Sequence, residues 1–351
     1  MTLPNGHNSL QLGRFSLVWR PRACAAGLGL LILLLLLALL LLGTGKMSLP
    51  APEILAGLTG TGDDPVAARI LQRVRLPRVL TAIGVGAALG MSGAVFQSLS
   101  RNALGSPDVI GFTTGAATGA IAQITLGSLD PFHTGLAAVG SGLLTATAVL
   151  LLARRGGSGA EAGYRLILVG IGMGAVLTGA NTLLLVKGEL DRVMSAQIWL
   201  AGSLSARNWD HVTATLIGLC LFAPLVLLLS RRLNLLEMGD DMARQLGVSA
   251  GQSRAVLVLA AVGLCSIGTA ATGPIAFIAL AAPQIARRLT RAPQVPVITG
   301  AITGSVLLLG ADLLSQAAPF DLTLPIGLTT GFLGGAYLLF IMASKKQADG
   351  L

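Results

Sequence analysis

Charge is what this sequence has least of. Only 11% of its 351 residues are Asp, Glu, Lys or Arg, against about a quarter in water-soluble domains. A chain of this length could hold two soluble domains, but the charge deficit together with 53% apolar residues selects one polytopic membrane domain. Cysteine and histidine are equally scarce, with three of each. Cys24, Cys220 and Cys265 sit in apolar stretches at unrelated spacings, which excludes a disulfide or metal pattern and makes small buried residues the expectation. His7, His133 and His211 are isolated near span ends, so no haem or metal site is expected. No cluster of His, Cys and carboxylates is present, which leaves an integral-membrane enzyme without catalytic residues. Gly43–Met47, GTGKM, lacks the first glycine and the Ser/Thr of a phosphate-binding loop, so no ATP site is visible. The net charge of +9 is spread between apolar runs without aromatic interleaving, which excludes a nucleic-acid surface.

What the chain does have is long apolar runs. Ala23–Leu42 holds no charge over twenty residues, enough to cross roughly 30 Å of hydrocarbon. It exceeds the apolar region of a signal peptide, about 7–15 residues, and is read as an uncleaved span. Further spans fall near 79–99, 109–126, 136–153, 166–186, 211–229, 255–271, 275–289, 297–314 and 326–342. The expected fold is therefore an all-α polytopic membrane protein of about ten transmembrane helices. It comprises a tail over 1–22, one membrane domain over 23–343 and a tail over 344–351. Leu190–Asp210, less apolar and carrying Trp199 and Trp209, reads as a short interfacial helix. With ten spans both termini share a side, and sixteen of the 24 basic residues lie there against eight opposite. That bias places both termini in the cytoplasm.

Glycine is abundant, at 46 residues. Pairs four apart, such as Gly86/Gly90, Gly170/Gly174, Gly300/Gly304 and Gly331/Gly335, leave bare Cα positions on one helix face, the pattern of close helix packing. Within the spans the main acid is Asp312. A secondary carrier or channel working alone would need such a group for ion coupling, and an indifferent Asp312→Asn variant would sink that reading.

The most polar run between two long apolar blocks is Asn234–Val248, NLLEMGDDMARQLGV. It reads as two short helical pieces broken at Gly239 and closed by Gly247. By charge count it is cytoplasmic, while Arg75 and Arg78 of RVRLPR lie outside.

These motifs resemble the FecCD family of permease subunits, the membrane part of ABC importers for iron-siderophores, haem and cobalamin. The matching runs are RLPRVLTAIGVGAALGMSGAVFQSLSRNALGSPDVIGFTTGA (75–116), LLEMGDDMARQLGVSAGQSR (235–254), GPIAFIALAAPQIARRLTR (273–291), GADLL (310–314) and LPIGLTTGFLGG (324–335), spread over most of 65–343. GSPDVIGF, NTLLLVKGEL and LLEMGDD look like the ferric-enterobactin type. The resemblance implies a type II, cobalamin-permease-like architecture in the cytoplasmic (inner) membrane. Two permease chains, alike or paralogous, would pair around a pathway lined by the fifth and tenth spans. Two cytoplasmic ABC ATPase subunits would dock below and carry the ATP, with no cofactor on this chain. An extracytoplasmic siderophore-binding protein would deliver the ferric chelate. It further implies that the loop over 233–250 couples to the ATPase through Glu237, Met238, Gly239, Asp240, Asp241, Arg244, Leu246 and Gly247. Arg75 and Arg78 would dock the binding protein, and Asn102 and Leu104 would form a cytoplasmic gate. Three positions depart from the family: Ala103 where RNP is usual, Gln284 where Pro-His is common, and Gln316 where some members carry a further docking arginine.

Overall fold

The structure, a computed structural model, describes residues 2–348 except 4–6, 13–14, 46, 48, 60, 62–63, 155–159 and 317–323. The middle of the Gly-rich basic loop over 154–164 and most of PFDLTLP (319–325) therefore lie outside the described residues. At the N-terminus β1 (Thr2–Leu3), β2 (His7–Leu12) and β3 (Phe15–Trp19) form an antiparallel sheet in the order β1-β2-β3. From residue 21 onward the described chain is helical.

α1 (Pro21–Gly43) opens on a proline at its first turn, where the missing N–H costs nothing. After α2 (Ala51–Thr59), Asp64 caps α3 (Pro65–Ile70), its carboxylate accepting from the N–H groups of Val66 and Ala67. α3 continues through a π turn, Leu71–Arg75, into α4 (Leu76–Ser100), so that one helical rod runs from Pro65 to Ser100. There follow α5 (Phe112–Leu126), α6 (Pro131–Arg154), α7 (Ala160–Lys187) and α8 (Leu190–Leu200). α8 is the short amphipathic helix expected from Trp199. α9 (Trp209–Leu228), α10 (Ser230–Glu237) and α11 (Asp240–Gln245) come next. α12 (Ala250–Thr272), α13 (Ile278–Thr290), α14 (Val297–Gln316) and α15 (Ile326–Ala348) complete the chain. Among the described residues seven helices are long and apolar enough to cross a membrane.

Helices occupy all ten expected span positions, but two are short. α5 has 15 residues and α13 has 13, about 20 Å of rise each, below the roughly 30 Å of a hydrocarbon core. Both start inside the bundle. Gly111, just before α5, fits against Gly174 of α7, and the Phe112 ring stacks on Phe96 at 5.1 Å. At the start of α13, the amide of Gln97 in α4 donates to the carbonyl of Leu280 at 2.8 Å. The turns preceding both helices are left-handed, at Gly111 (φ 86°) and Phe277 (φ 77°). The second is rare for a bulky residue. The Phe277 ring meets Tyr337 edge-on at 5.9 Å and lies against Gly334, where no Cβ would fit. Such irregular backbone is tolerated at membrane depth only when buried in protein.

α4 is the hub. It packs on α14, α12, α13 and α9, and nearly its whole length from Val79 to Leu99 is buried. The expected glycine pairs face each other here: a Cβ on Gly86 would overlap the Gly304 carbonyl, and one on Gly90 the Gly300 carbonyl. A Cβ on Gly93 would overlap the Ala279 carbonyl. Gly331 and Gly335 have open space instead. Of the three cysteines only Cys265 is buried; Cys24 and Cys220 are exposed. Both lie on helices that present much of their length outward, where a small apolar residue suits lipid as well as a core.

Gly93→Val should therefore abolish a monodisperse, thermally stable chain in detergent, because overpacking against a backbone carbonyl costs at least about 1–3 kcal/mol. Gly140→Ala, at a helix position open around the new methyl, should leave the melting midpoint unchanged or slightly raised.

Candidate coupling and gate site

The polar run folds as two short helices. Leu233 and Leu236 of α10 are buried in the main core and anchor it. Gly239 separates α10 from α11 at φ 124°, and Gly247 ends the knuckle at φ 79°. Both are open to solvent, so backbone conformation rather than crowding requires glycine there. The N–H of Val248 donates to the Ala243 carbonyl at 2.9 Å and the N–H of Gly247 to that of Arg244 at 3.0 Å, closing α11.

The knuckle has two faces. Asp240 points inward. Its carboxylate accepts from both Nη atoms of Arg254, at 3.1 and 2.7 Å, and from Arg101 at 3.2 Å. Glu237 pairs with Arg287 of α13 at 2.8 Å. The outward face carries Met238, Met242 and Leu246, exposed by 67, 46 and 58%, beside an exposed Asp241–Arg244 pair at 3.3 Å. Exposed pairs of that kind contribute little to stability. Exposed apolar residues on a folded, solvated knuckle mark a contact surface. Met242 was not foreseen, although its place four residues from both Met238 and Leu246 was visible in the sequence.

The turn that carries the candidate gate residues Asn102 and Leu104 lies directly against the knuckle. α4 ends at Arg101, left-handed at φ 49°. The Asn102 side-chain oxygen then accepts from the Leu104 N–H at 2.9 Å, and the Asn102 carbonyl from the Gly105 N–H at 2.9 Å. Leu104 is exposed. The Gln284 side chain donates to the Ala103 carbonyl at 2.7 Å. Two of the departures from the family pattern therefore touch each other. A cavity of about 370 Å³ lies between turn and knuckle, lined by Gln97, Arg101, Asn102, Ala103, Glu237, Gln284, Arg287 and Arg288.

At the opposite end of the bundle the two arginines of RLPR behave differently. Arg78 forms a fork onto Asp312, Nε at 3.0 Å and Nη2 at 2.6 Å, and Gln316 donates to the same carboxylate at 3.1 Å. Asp312 is fully buried. It is tied up by an arginine and a glutamine, the arrangement of a structural acid rather than of a free ion-coupling group. Arg75 is buried, and its guanidinium donates to the carbonyls of Leu42, at 2.6 Å, and Met47. It braces the connection after α1 and offers no free fork to the exterior. It shares the buried face of the rod with Ala67, Leu71 and Val79, and Arg69 and Arg73 are the exposed arginines of this segment.

A second buried acid was not singled out in the sequence. Asp108, just before the span expected at 109–126, accepts from the Thr113 hydroxyl and the Phe277 N–H, while its Oδ2 is buried without a partner. It joins the starts of the two half-length helices. Hydropathy cannot reveal this, because the segment over 101–111 climbs back into the bundle. Among the described residues no group of His, Cys, Asp and Glu is arranged to hold a metal.

Asp240→Ala should destabilise the detergent-solubilised chain by about 3–5 kcal/mol, since it strands a buried arginine. Asp241→Ala should change stability by less than about 1 kcal/mol. Equal melting midpoints for the two variants would contradict the inward placement of Asp240.

Comparison with known proteins identifies the family. The FecCD transport family model matches residues 30–344. A ferric enterobactin transport system permease protein of Escherichia coli (strain K12), FepG, is 42% identical over 304 residues, covering 87% of this chain and 91% of the relative. A second ferric enterobactin transport system permease protein of that organism, FepD, is 33% identical over 307 residues, covering 86% and 90%. The solved structure of a metal-chelate type ABC transporter in an inward-facing conformation superposes with a TM-score of 0.81 at 29% identity, covering 92% of this chain and 99% of that one. On the family match and these identities together, the chain belongs to the FecCD transport family.

Proposed function

We propose that this chain is the membrane-spanning permease subunit of an ATP-driven importer carrying a ferric siderophore across the cytoplasmic membrane. The observation that carries the reading is the knuckle: a rigid pair of short helices, anchored by Leu233 and Leu236, that presents Met238, Met242 and Leu246 to a soluble partner. The partner is a cytoplasmic ABC ATPase, which holds the ATP. Asp241 and Arg244 flank its contact face, while Glu237 and Asp240 tie the knuckle to the membrane body. Short rigid helices transmit a closure as a rigid-body push.

The chain crosses the membrane ten times with both termini in the cytoplasm. α5 and α13 are the half-length members, and α15 completes the count. α7 and α15 line the pathway. Escherichia coli has two ferric enterobactin permease proteins similar to this chain, so a paralogous second permease is the partner across the pathway. Asn102 and Leu104 form the cytoplasmic constriction. On the outside a siderophore-binding protein docks on Arg69, Arg73 and Arg78, with Arg75 bracing the segment from within.

Gentle extraction of the tagged chain from its native membrane should recover an ABC ATPase and a second permease. Repeated recovery of the chain alone, where a control importer stays intact, would contradict the reading. Met242→Asp with Leu246→Asp should reduce ATPase recovery at least about tenfold while the permease remains folded, as expected when apolar anchors of an interface are charged. Arg69→Glu with Arg73→Glu should weaken docking of the binding protein about 5–30-fold at low salt, less at high salt. Unchanged affinity would remove these arginines from the docking face.

A further inference from the structure

Two polar ties run from the knuckle to the gate turn. The first starts at Asp240, which Arg254 holds by two hydrogen bonds and which also accepts from Arg101 at 3.2 Å. Arg101 is the last residue before the gate turn, and its backbone is left-handed. That conformation is unfavourable for a side chain bearing a Cβ and persists only where its surroundings hold it. The second tie starts at Glu237, which grips Arg287 at 2.8 Å. One helical turn earlier on α13, Gln284 donates to the carbonyl of Ala103 at 2.7 Å. One tie therefore reaches the start of the gate turn and the other its middle.

We propose that these two ties set the position of the gate turn from the position of the knuckle, with Arg101 and Gln284 as positioning residues for Asn102 and Leu104. This rests on the coupling reading above and deepens it. The remaining hydrogen bonds of the turn are local: Asn102 accepts from the N–H groups of Leu104 and Gly105 and from the Ser100 hydroxyl, and its own N–H donates to the Gln97 carbonyl, so they shape the turn and seat it on the end of α4 without reaching the knuckle. Ala103 has no ring to stiffen the backbone, so the amide of Gln284 supplies the restraint. The cavity of about 370 Å³ beside the turn gives it room to move when the ties shift. A rigid knuckle displaced by its partner pulls on both ties together, because Glu237 and Asp240 lie three residues apart on it.

The test reads the gate directly and needs no ATPase. Leu104→Cys is placed in a chain carrying Cys24→Ala, Cys220→Ala and Cys265→Ala, and labelled by a membrane-impermeant maleimide in inside-out vesicles. Gln284→Leu and Glu237→Arg should each change the labelling rate at least about fivefold, the lower end of typical couplings between sites. The charge swap Glu237→Arg with Arg287→Glu should bring the rate back to within about twofold, while Gln284→Leu with the swap should not recover. Arg101→Lys, which keeps the charge but loses the Nη2 contact to Asp240, should give an intermediate rate if the variants at Glu237 fail to fold. Equal labelling rates in all folded variants, or a swap that leaves the rate at that of the single variants, would overturn the proposal. A second arm adds a trapped ATP analogue to vesicles containing the whole importer. It should alter labelling of the parent but not of Gln284→Leu. An altered rate in both would also overturn the ties, whereas absence of any ATPase would defeat the coupling reading and leave the first arm to decide.

Discussion

Backbone-to-backbone packing around α4 is the constraint on which the rest of this molecule depends. A membrane bundle gains little from burying apolar side chains, since lipid is as apolar as a leucine core, and it relies on close approach and interhelical hydrogen bonds instead. Gly86, Gly90 and Gly93 let α14 and α13 come to carbonyl contact with α4. The hydroxyl of Ser92 then reaches the Ala261 carbonyl of α12 at 2.7 Å, and Ser305 of α14 reaches that of Ile83 at 2.7 Å. Because α4 is gripped on these sides, both of its ends are placed. One end presents Arg78 to Asp312. The other delivers Arg101 to Asp240 and starts the gate turn.

That placement turns packing into function. The knuckle and the Asn102–Leu104 turn are separated by more than a hundred residues in the chain, yet polar contacts bridge them in two places: Arg101 meets Asp240, and α13 meets Glu237 through Arg287 and the turn through Gln284. Buried ion pairs are poor sources of stability because desolvation offsets much of their attraction. Their value here is geometric: they fix which groups move together. The exposed side of the same knuckle is free to carry a partner, and it is more apolar than a solvated loop needs to be.

Much of this was legible in the sequence, and the gaps have physical reasons. Hydropathy anticipated a described helix at each expected span, and seven of these are long and apolar enough to cross a membrane. Glycines with a conformational requirement, Gly239 and Gly247, marked the knuckle correctly. The small-residue pairs forecast close packing but not which pairs would meet: Gly86 and Gly90 found Gly304 and Gly300, whereas Gly331 and Gly335 stayed open. The shortness of α13 was already legible in the brief apolar run over 275–289; that of α5 was not, because composition does not record depth and a buried re-entrant segment can be as polar as a loop. For the same reason Asp108, just before the span expected at 109–126, gave no signal of its burial. Arg75 points inward because it falls four residues from both Leu71 and Val79, on the face that this long rod turns to the core; an arginine on an apolar face does not announce its own burial. Asp240 and Asp241 are adjacent and chemically alike, and only the fold separates a buried clamp from an exposed acid.

The central claim is that this chain moves an iron chelate by energy delivered through the knuckle. The most direct measurement is uptake of radiolabelled ferric siderophore into proteoliposomes holding the permease, its co-purified ATPase and the binding protein. Uptake that requires ATP and persists when ion gradients are collapsed is the predicted result. Uptake that proceeds without ATP and stops on collapsing the gradients would contradict it.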